Sequence, residues 1–470
     1  TQIIEYASPL TTKRVVKPDM GIYVQDRWTL NRLTLSPGLR FDYFNAYVPA
    51  QTLVANRFLP QRSYAEVDCV PCWRDLEPRF SAVYDVFGTG KTAVSASIGR
   101  YVAGEVSTTA AANDPATTVV NSVTRTWTDT NGDFIPNCDL TNPNANGECK
   151  VISNTSFGLP VVTTRYDPST LNGWGKRNYN WRISAELKHQ LRDGLALTAG
   201  YYHAWYGNFL VTDNLVLDPS NYDPYCVNVP VNAGLPGGGG YQECGLYDLN
   251  PAYFGKPVNN YVTFSTPYGK QTETYDGADL LVNARLPHGA FLQGGMNVGN
   301  STVTQVNAGA VSAAHTNSCF VVDSPQQLLY CDVRPPFLVQ IKLIGAYTLP
   351  WDVQLAGNFQ SLPGPDIAAL WAAPSSATTL GRAFSGGTTA LVPLFAPFSN
   401  GREKRLNQLD LRVSKRFTTG RFKTTAEFDV YNVSNANNVL SNNVTYGPQW
   451  TQPTEILQAR IAKFALNLQF

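Results

Sequence analysis

No stretch of this 470-residue sequence supplies the run of about 18 apolar residues that a membrane-crossing helix requires. That excludes a bundle of such helices. Charged residues make up only 15% of the chain, well below the roughly one quarter of an ordinary soluble domain. Lysine and arginine are scattered rather than blocked and the formal net charge is +1, so nothing is shaped for a nucleic-acid partner. Methionine is nearly absent, with 2 residues, and histidine is scarce, with 4. His189, His203, His288 and His315 lack the spacing of a metal-binding helix and lie far apart. No nucleophile–base arrangement stands out, so no enzymatic activity is expected.

What the chain does have is aromatics and alternation. Tyrosine and phenylalanine number 24 and 22, a profile that suits strands and interfaces. Leu33, Leu35, Leu39 and Phe41 share one face, opposite Thr34, Ser36, Arg40 and Asp42. Trp181, Ile183, Ala185 and Leu187 oppose Asn180, Arg182, Ser184, Glu186 and Lys188, and Phe422, Ala426, Phe428 and Val430 oppose Lys423, Glu427 and Asp429. Period-two alternation of this kind predicts strands with one apolar face. Thirteen are expected, near 20–30, 33–43, 79–87, 92–101, 178–189, 195–205, 272–285, 290–300, 337–348, 351–360, 405–417, 421–432 and 456–470. Short connections (31–32, 88–91, 190–194, 286–289, 349–350 and 418–420) alternate with long ones. A transmembrane antiparallel β-barrel has that asymmetry, with short periplasmic turns and long extracellular loops. The all-β expectation is therefore a barrel with its apolar faces toward outer-membrane lipid and a polar lumen. Trp28, Tyr43, Tyr101, Trp181, Tyr201, Trp205 and Trp351 are expected at the membrane interfaces. The last strand, alternating Ala462, Phe464, Leu466, Leu468 and Phe470 with polar residues, is the expected closing strand.

Eight cysteines fall into near pairs, Cys69/Cys72, Cys138/Cys149, Cys226/Cys244 and Cys319/Cys331, each within a different long connection. This predicts local disulfides in an oxidising compartment. Zinc is the competing reading for Cys69-x-x-Cys72, but that motif lacks a second half.

The segment Gly21-Ile-Tyr-Val-Gln-Asp-Arg-Trp28, followed by Leu33-Thr-Leu-Ser-Pro-Gly-Leu-Arg-Phe-Asp42, resembles the barrel signature of TonB-dependent outer-membrane receptors. Leu76-Glu-Pro-Arg-Phe80 and Phe428-Asp-Val-Tyr-Asn-Val-Ser-Asn435 are similar to that family's strand-flanking motifs as well. The large cysteine-bearing loops resemble the Oar-like branch. The resemblance implies a 22-stranded barrel filled by an N-terminal plug, and energised uptake of an extracellular ligand through the TonB complex. Residues 1–470 would then be the C-terminal portion of the barrel, with nine strands, the plug and any N-terminal carboxypeptidase-regulatory-like domain outside it. The odd strand number gives the same expectation, because bacterial single-chain barrels have even counts. A structural or adhesive surface barrel is the alternative, and a secreted carbohydrate-binding β-protein a third reading. Tyrosine-rich stretches at 222–225 and 241–261 could contact a sugar or peptide, or simply pack.

Two local motifs remain. Gly88-Thr-Gly-Lys-Thr92 lacks the spacing of a phosphate-binding loop and sits between strands, so a hairpin turn is expected. Asp129, Asn131, Asp133 and Asp139 place oxygen donors around Gly132, as calcium loops do. Their sequence is similar to the start of EF-hand-like or thrombospondin-type repeats, with the Ile135 carbonyl as a further donor. Leu140 stands where such a loop carries a carboxylate, so Asp139 would have to serve. A structural calcium or a bare polar turn are the two expectations; no other cofactor is required.

Overall fold

The computed structural model describes residues 2–287, 289–300 and 314–469; His288 and the terminal Phe470 lie outside the described residues. Among the described residues thirteen long strands form one antiparallel meander, each paired with its neighbours in chain order. They are β1 (Val15–Gln25, continued by Trp28–Leu30), β2 (Leu33–Tyr47), β3 (Cys72–Asp85), β4 (Thr92–Val102), β5 (Tyr179–Arg192), β6 (Leu195–Gly207) and β7 (Thr272–Leu286). The remainder are β8 (Ala290–Gly299), β9 (Leu338–Leu349), β10 (Val353–Leu362), β11 (Leu406–Thr419), β12 (Phe422–Tyr431) and β13 (Ile461–Gln469). Three short strands, Asn172–Trp174, His315–Asn317 and Asp332–Val333, extend this sheet at its long-loop end.

Three of the short turns show a local cause. Asn31 adopts positive φ (55°) in the β1–β2 hairpin, a conformation asparagine tolerates well. Gly194 (φ 75°) closes β5 onto β6, and a Cβ there would lie 2.0 Å from the Arg285 carbonyl oxygen. In the 86–91 turn, the Gly88 and Gly90 amides donate to the two Asp85 carboxylate oxygens at 3.0 and 2.8 Å. The glycine–lysine motif is thus a hairpin whose amides wrap the chain's own carboxylate.

Register settles the faces. Across β2, β3 and β4, Leu35 meets Ala82 and Ala82 meets Ala96, while Ser36 meets Ser81 and Ser81 meets Ser97. Across β10 to β13, Phe359 faces Leu409, Leu411 faces Val430 and Phe428 faces Phe464; the other face reads Asn358–Asp410 and Arg412–Asp429–Lys463. The apolar face carries exposed Leu280, Leu355, Leu411, Val413 and Leu466. Aliphatic surface on that scale is stable only against lipid, and the polar face lines the lumen. Trp28, Tyr43, Trp181, Tyr201 and Trp205 share registers with the apolar face, and Trp351 is exposed in the β9–β10 turn. Tyr101 departs from the expectation. It pairs with Asn180 on the lumenal face and lies beneath Arg79 and Arg182, at 4.6 and 5.4 Å from ring centroid to guanidinium.

Among the described residues, β1 and β13 are each hydrogen-bonded on one side only, and their outer residues are bare, with Val24 68% and Phe464 81% exposed. With thirteen strands these two run the same way, so joining them directly would require a parallel pair.

At their long-loop ends β1, β2 and β3 are longer than the alternation predicts, whereas β13, expected from 456, begins only at Ile461. β3 begins at Cys72 rather than near residue 79, because Asp75 and Glu77, which read as loop residues, find Asp42 and Arg40 opposite them in β2. Above the sheet the long connections pack into a layer with its own small cores. Phe44, Val48, Val70, Trp73, Ala110 and Leu171 form one. Tyr225, Val227, Leu246, Ala373, Phe384 and Val392 form another.

Candidate functional site

Two surfaces carry chemistry: the lumenal wall beneath the extracellular loops, and the loop layer itself. On the wall, β2 and β3 bring together a ladder of opposite charges. Arg40 binds Asp42 at 2.7 Å, Arg79 binds Glu77 at 3.0 Å, and Asp75, fully buried, faces Arg177 at 2.9 Å and Arg100 at 3.8 Å. On the same face, toward the other edge of the sheet, Arg412 binds Asp429 at 2.5 Å and Glu427 at 3.3 Å. Such ladders suit a wet pore, where charges stay paired while polar solutes pass.

The loop layer is held by covalent and ionic ties. Its disulfides join Cys69–Cys72, Cys138–Cys149, Cys226–Cys244 and Cys319–Cys331, with Cα–Cα distances of 4.7, 5.8, 4.1 and 4.9 Å. All four pairings read from the sequence are present. Arg382 reaches from the 375–388 segment to Asp223 and Asp248, at 2.5 Å each, and its guanidinium holds the Asp223 carboxyl below the usual range. Tyr225 packs edge-on against Phe384 and the Tyr241 hydroxyl donates to the Leu394 carbonyl at 2.6 Å. The tyrosines offered as sugar contacts therefore serve, in part, to pack this layer.

The four candidate metal ligands are not gathered around one point. Asp129 accepts the amides of Gly132 (2.7 Å) and Phe134 (3.0 Å), while Asp133 accepts the Ile135 amide and the side chains of Asn131 and Asn137. Asp139 is turned away, accepting the Thr141 amide and hydroxyl. The carboxylate that does reach the loop is Glu148, which binds the Thr130 amide and hydroxyl and the Asn137 amide. Sequence spacing could not show this, because the Cys138–Cys149 bridge folds Glu148 back across the motif. Among the described residues, no three His, Cys, Asp or Glu side chains form a group able to hold a metal ion.

One contact between loops sets two carboxyl groups side by side. Asp323 accepts the Asn214 amide at 2.6 Å and lies against Asp213, which accepts the Tyr268 hydroxyl at 2.6 Å. Burial, with the Asp213 carboxylate beside it, pushes Asp323 up to about 6 from an ordinary value of 3.8. A carboxyl raised on folding favours the protonated folded form, so its stabilising contribution is complete below the ordinary value and lost as pH rises through about 6. Hydrogen-exchange protection of the Asn214 amide, corrected for intrinsic rates, is expected to fall between about pH 4 and pH 7. In Asp323→Asn the profile should be flat; an unchanged slope would assign it to another group.

The chain's pattern matches the family described as "Outer membrane beta barrel domain" over residues 3–296. A comparison with curated proteins found no match. Among solved structures, the siderophore receptor PiuA of Acinetobacter baumannii aligns over 95% of this chain and 42% of its own, at 12% identity and a TM-score of 0.42. The ferripyoverdine receptor of Pseudomonas aeruginosa aligns over 95% and 38%, at 10% identity and a TM-score of 0.44. The FrpB iron transporter of Neisseria meningitidis aligns over 95% and 44%, at 12% identity and a TM-score of 0.40. The chain thus spans less than half the length of each of these three proteins. With its family matched over more than half its length, this chain belongs to the outer-membrane β-barrel domain family, and its meander is a membrane-spanning wall of that compartment.

Proposed function

We propose that the chain is the C-terminal part of a TonB-dependent receptor barrel that imports an extracellular ligand, still to be identified, with energy from the inner membrane. The observation that carries this reading is the lumenal wall. Charges on β2, β3, β11 and β12 are paired along a polar interior beneath a disulfide-tied loop layer, as an uptake route requires. The receptor-like motifs at 21–42 and 428–435 support the energised step. The free edges of β1 and β13 support further strands in the assembled barrel, since lipid tolerates no unpaired backbone edge. The test is the polypeptide found in outer membranes. Mass mapping of the protein bearing this sequence should reveal a plug and a TonB-contacting segment, and a product without them sinks the import reading.

One observation favours the adhesive alternative. Phe134 and Ile135, at the tip of the 129–139 segment, are 87% and 61% exposed on a disulfide-anchored base. Function there is separable from transport, as is the calcium we propose for Asp129, Asn131, Asp133 and Asp139, whose carboxylates would have to leave their present amide partners to meet around one ion. Calcium at about 10⁻⁴–10⁻³ M, the range of extracellular sites, is expected to slow proteolysis of this segment, and an Asp129→Ala/Asp133→Ala variant should lose the effect. Equal cutting with calcium and with chelator would leave a polar turn.

A further inference from the structure

At the periplasmic end of the lumenal wall, the ends of four consecutive strands surround a depression of about 430 Å³. Its floor is made of small residues, Ala93 on β4, Ala196 on β6 and the glycines Gly90 and Gly194. Around it stand Lys91, Lys188, Gln190, Asn283 and Arg285. The register places them together: Lys188 lies opposite Ala93 and Thr198, while Ala196 lies between Gln190 and Asn283. Backbone bonds lock the rim, with the Gln190 amide donating to the Lys91 carbonyl at 2.7 Å and the Arg285 amide to the Gly194 carbonyl at 2.6 Å.

The charge here is not balanced as it is higher on the wall. Lys188 is neutralised by Glu186 at 2.9 Å, and both Asp85 oxygens are taken by the amides of the 88–90 turn. Asp193, the other nearby acid, accepts among the described residues only the Gln190 side-chain amide, at 3.4 Å. The side chains of Lys91 and Arg285 meet no carboxylate among the described residues, whereas Arg40, Arg79, Arg177 and Arg412 each hold one. Two unpaired cations flank one cavity from strands three spacings, or about 14 Å, apart, and the groups between and around them offer an excess of donors: an ammonium, a guanidinium and two side-chain amides. A group bearing several anionic oxygens would supply the missing counter-charge and accept charge-assisted hydrogen bonds from these donors.

We infer that this pocket is a binding site for a small soluble oxyanion of the phosphate class at the lumen's periplasmic mouth. It does not depend on energised import, but it requires that the plug proposed above leave Lys91 and Arg285 uncovered, which binding to the isolated full-length protein reads directly. Native protein extracted in a non-ionic detergent would be titrated calorimetrically with inorganic pyrophosphate, with sulfate and chloride as competitors. Saturable binding is expected, displaced by sulfate and not by chloride, and weakened at least about tenfold in Lys91→Ala and in Arg285→Ala. Arg421→Ala, which removes a rim cation outside the pocket, should leave it unchanged. Heat-modifiable gel migration confirms that each variant is folded. Absence of saturable binding overturns the inference, as does equal weakening by Arg421→Ala, which would assign the effect to general rim charge. Co-purified phosphatidylglycerol that pyrophosphate cannot displace would also overturn it, by assigning the cations to lipid headgroups.

Discussion

Leu411→Arg is expected to destabilise the membrane-embedded barrel by about 2–4 kcal/mol, and Glu427→Arg by clearly less. Leu411 lies in mid-strand, between Gly357 on β10 and Val430 on β12, on the face that carries Phe359, Val413 and Phe428. A guanidinium at that depth must leave water without a partner. Phe428→Arg should behave alike, with the added loss of its ring contact to Phe464 at 4.6 Å. Glu427 lies one residue away but on the opposite face, between Ser414 and Ala465. An arginine there would lose the 3.3 Å contact with Arg412 and add like-charge repulsion, but in a wet lumen where both are screened. Arg412 would also keep Asp429 at 2.5 Å. Urea midpoints for folding into phosphatidylcholine vesicles measure the difference. Equal costs at both positions would mean that the faces are reversed or that neither meets lipid.

That contrast is legible in the sequence, because a period of two on a long strand states which residues share a face. Leu33 to Asp42 shows why: its apolar set coincides with the set that register places beside Ala82 and Phe80. The disulfides were legible for a related reason, since each cysteine has a sequence neighbour within the same loop. Side-chain direction near the strand ends was less so. Tyr101 reads as an interfacial aromatic, yet a one-residue parity puts it in the lumen under Arg79. The contacts that organise the loops were not legible at all. Arg382 is separated from Asp223 by 159 positions, and the Tyr222–Asn228/Gln242–Leu249 hairpin packs against Leu370–Pro374/Thr389–Pro393 through Tyr225, Val227, Ala373 and Val392. Pairings of that separation leave no periodic trace. Glu148 was missed in the same way: the 129–139 spacing drew attention to Asp139, while the bridge at Cys138–Cys149 delivered a carboxylate from outside the motif.

Arg125→Ala is expected to remove about 3–5 kcal/mol of local stability from the 122–152 loop while leaving the barrel intact. Arg125 is fully buried in the short sheet that joins Gln2–Tyr6 to Ser122–Thr126. Its Nε donates to the Lys150 carbonyl at 3.0 Å, Nη1 to Asp139 at 3.4 Å, and Nη2 to Asn142, Pro143 and Asn144 at 3.0, 3.4 and 2.9 Å. One side chain therefore supplies five carbonyls of a segment with little regular structure. It is also the partner of Glu5, at 3.6 Å, whose carboxyl burial pushes upward. Truncation leaves those carbonyls without this donor and strands a buried carboxylate, and unpaired buried charge is the larger part of the penalty. Arg125→Lys should recover only part of the loss, because one ammonium cannot span the same set of acceptors. Arg125→Ala combined with Glu5→Gln should be more stable than Arg125→Ala alone, since the stranded charge is gone. Hydrogen exchange and limited proteolysis of residues 122–152 report the loop, and heat-modifiable migration reports the barrel. The Cys138–Cys149 bridge remains in every variant, so it cannot account for a difference among them. If Arg125→Ala leaves the loop as protected as before, the carbonyl cluster is not what holds it. If Glu5→Gln brings no recovery, the cost lies in the carbonyls and not in the charge.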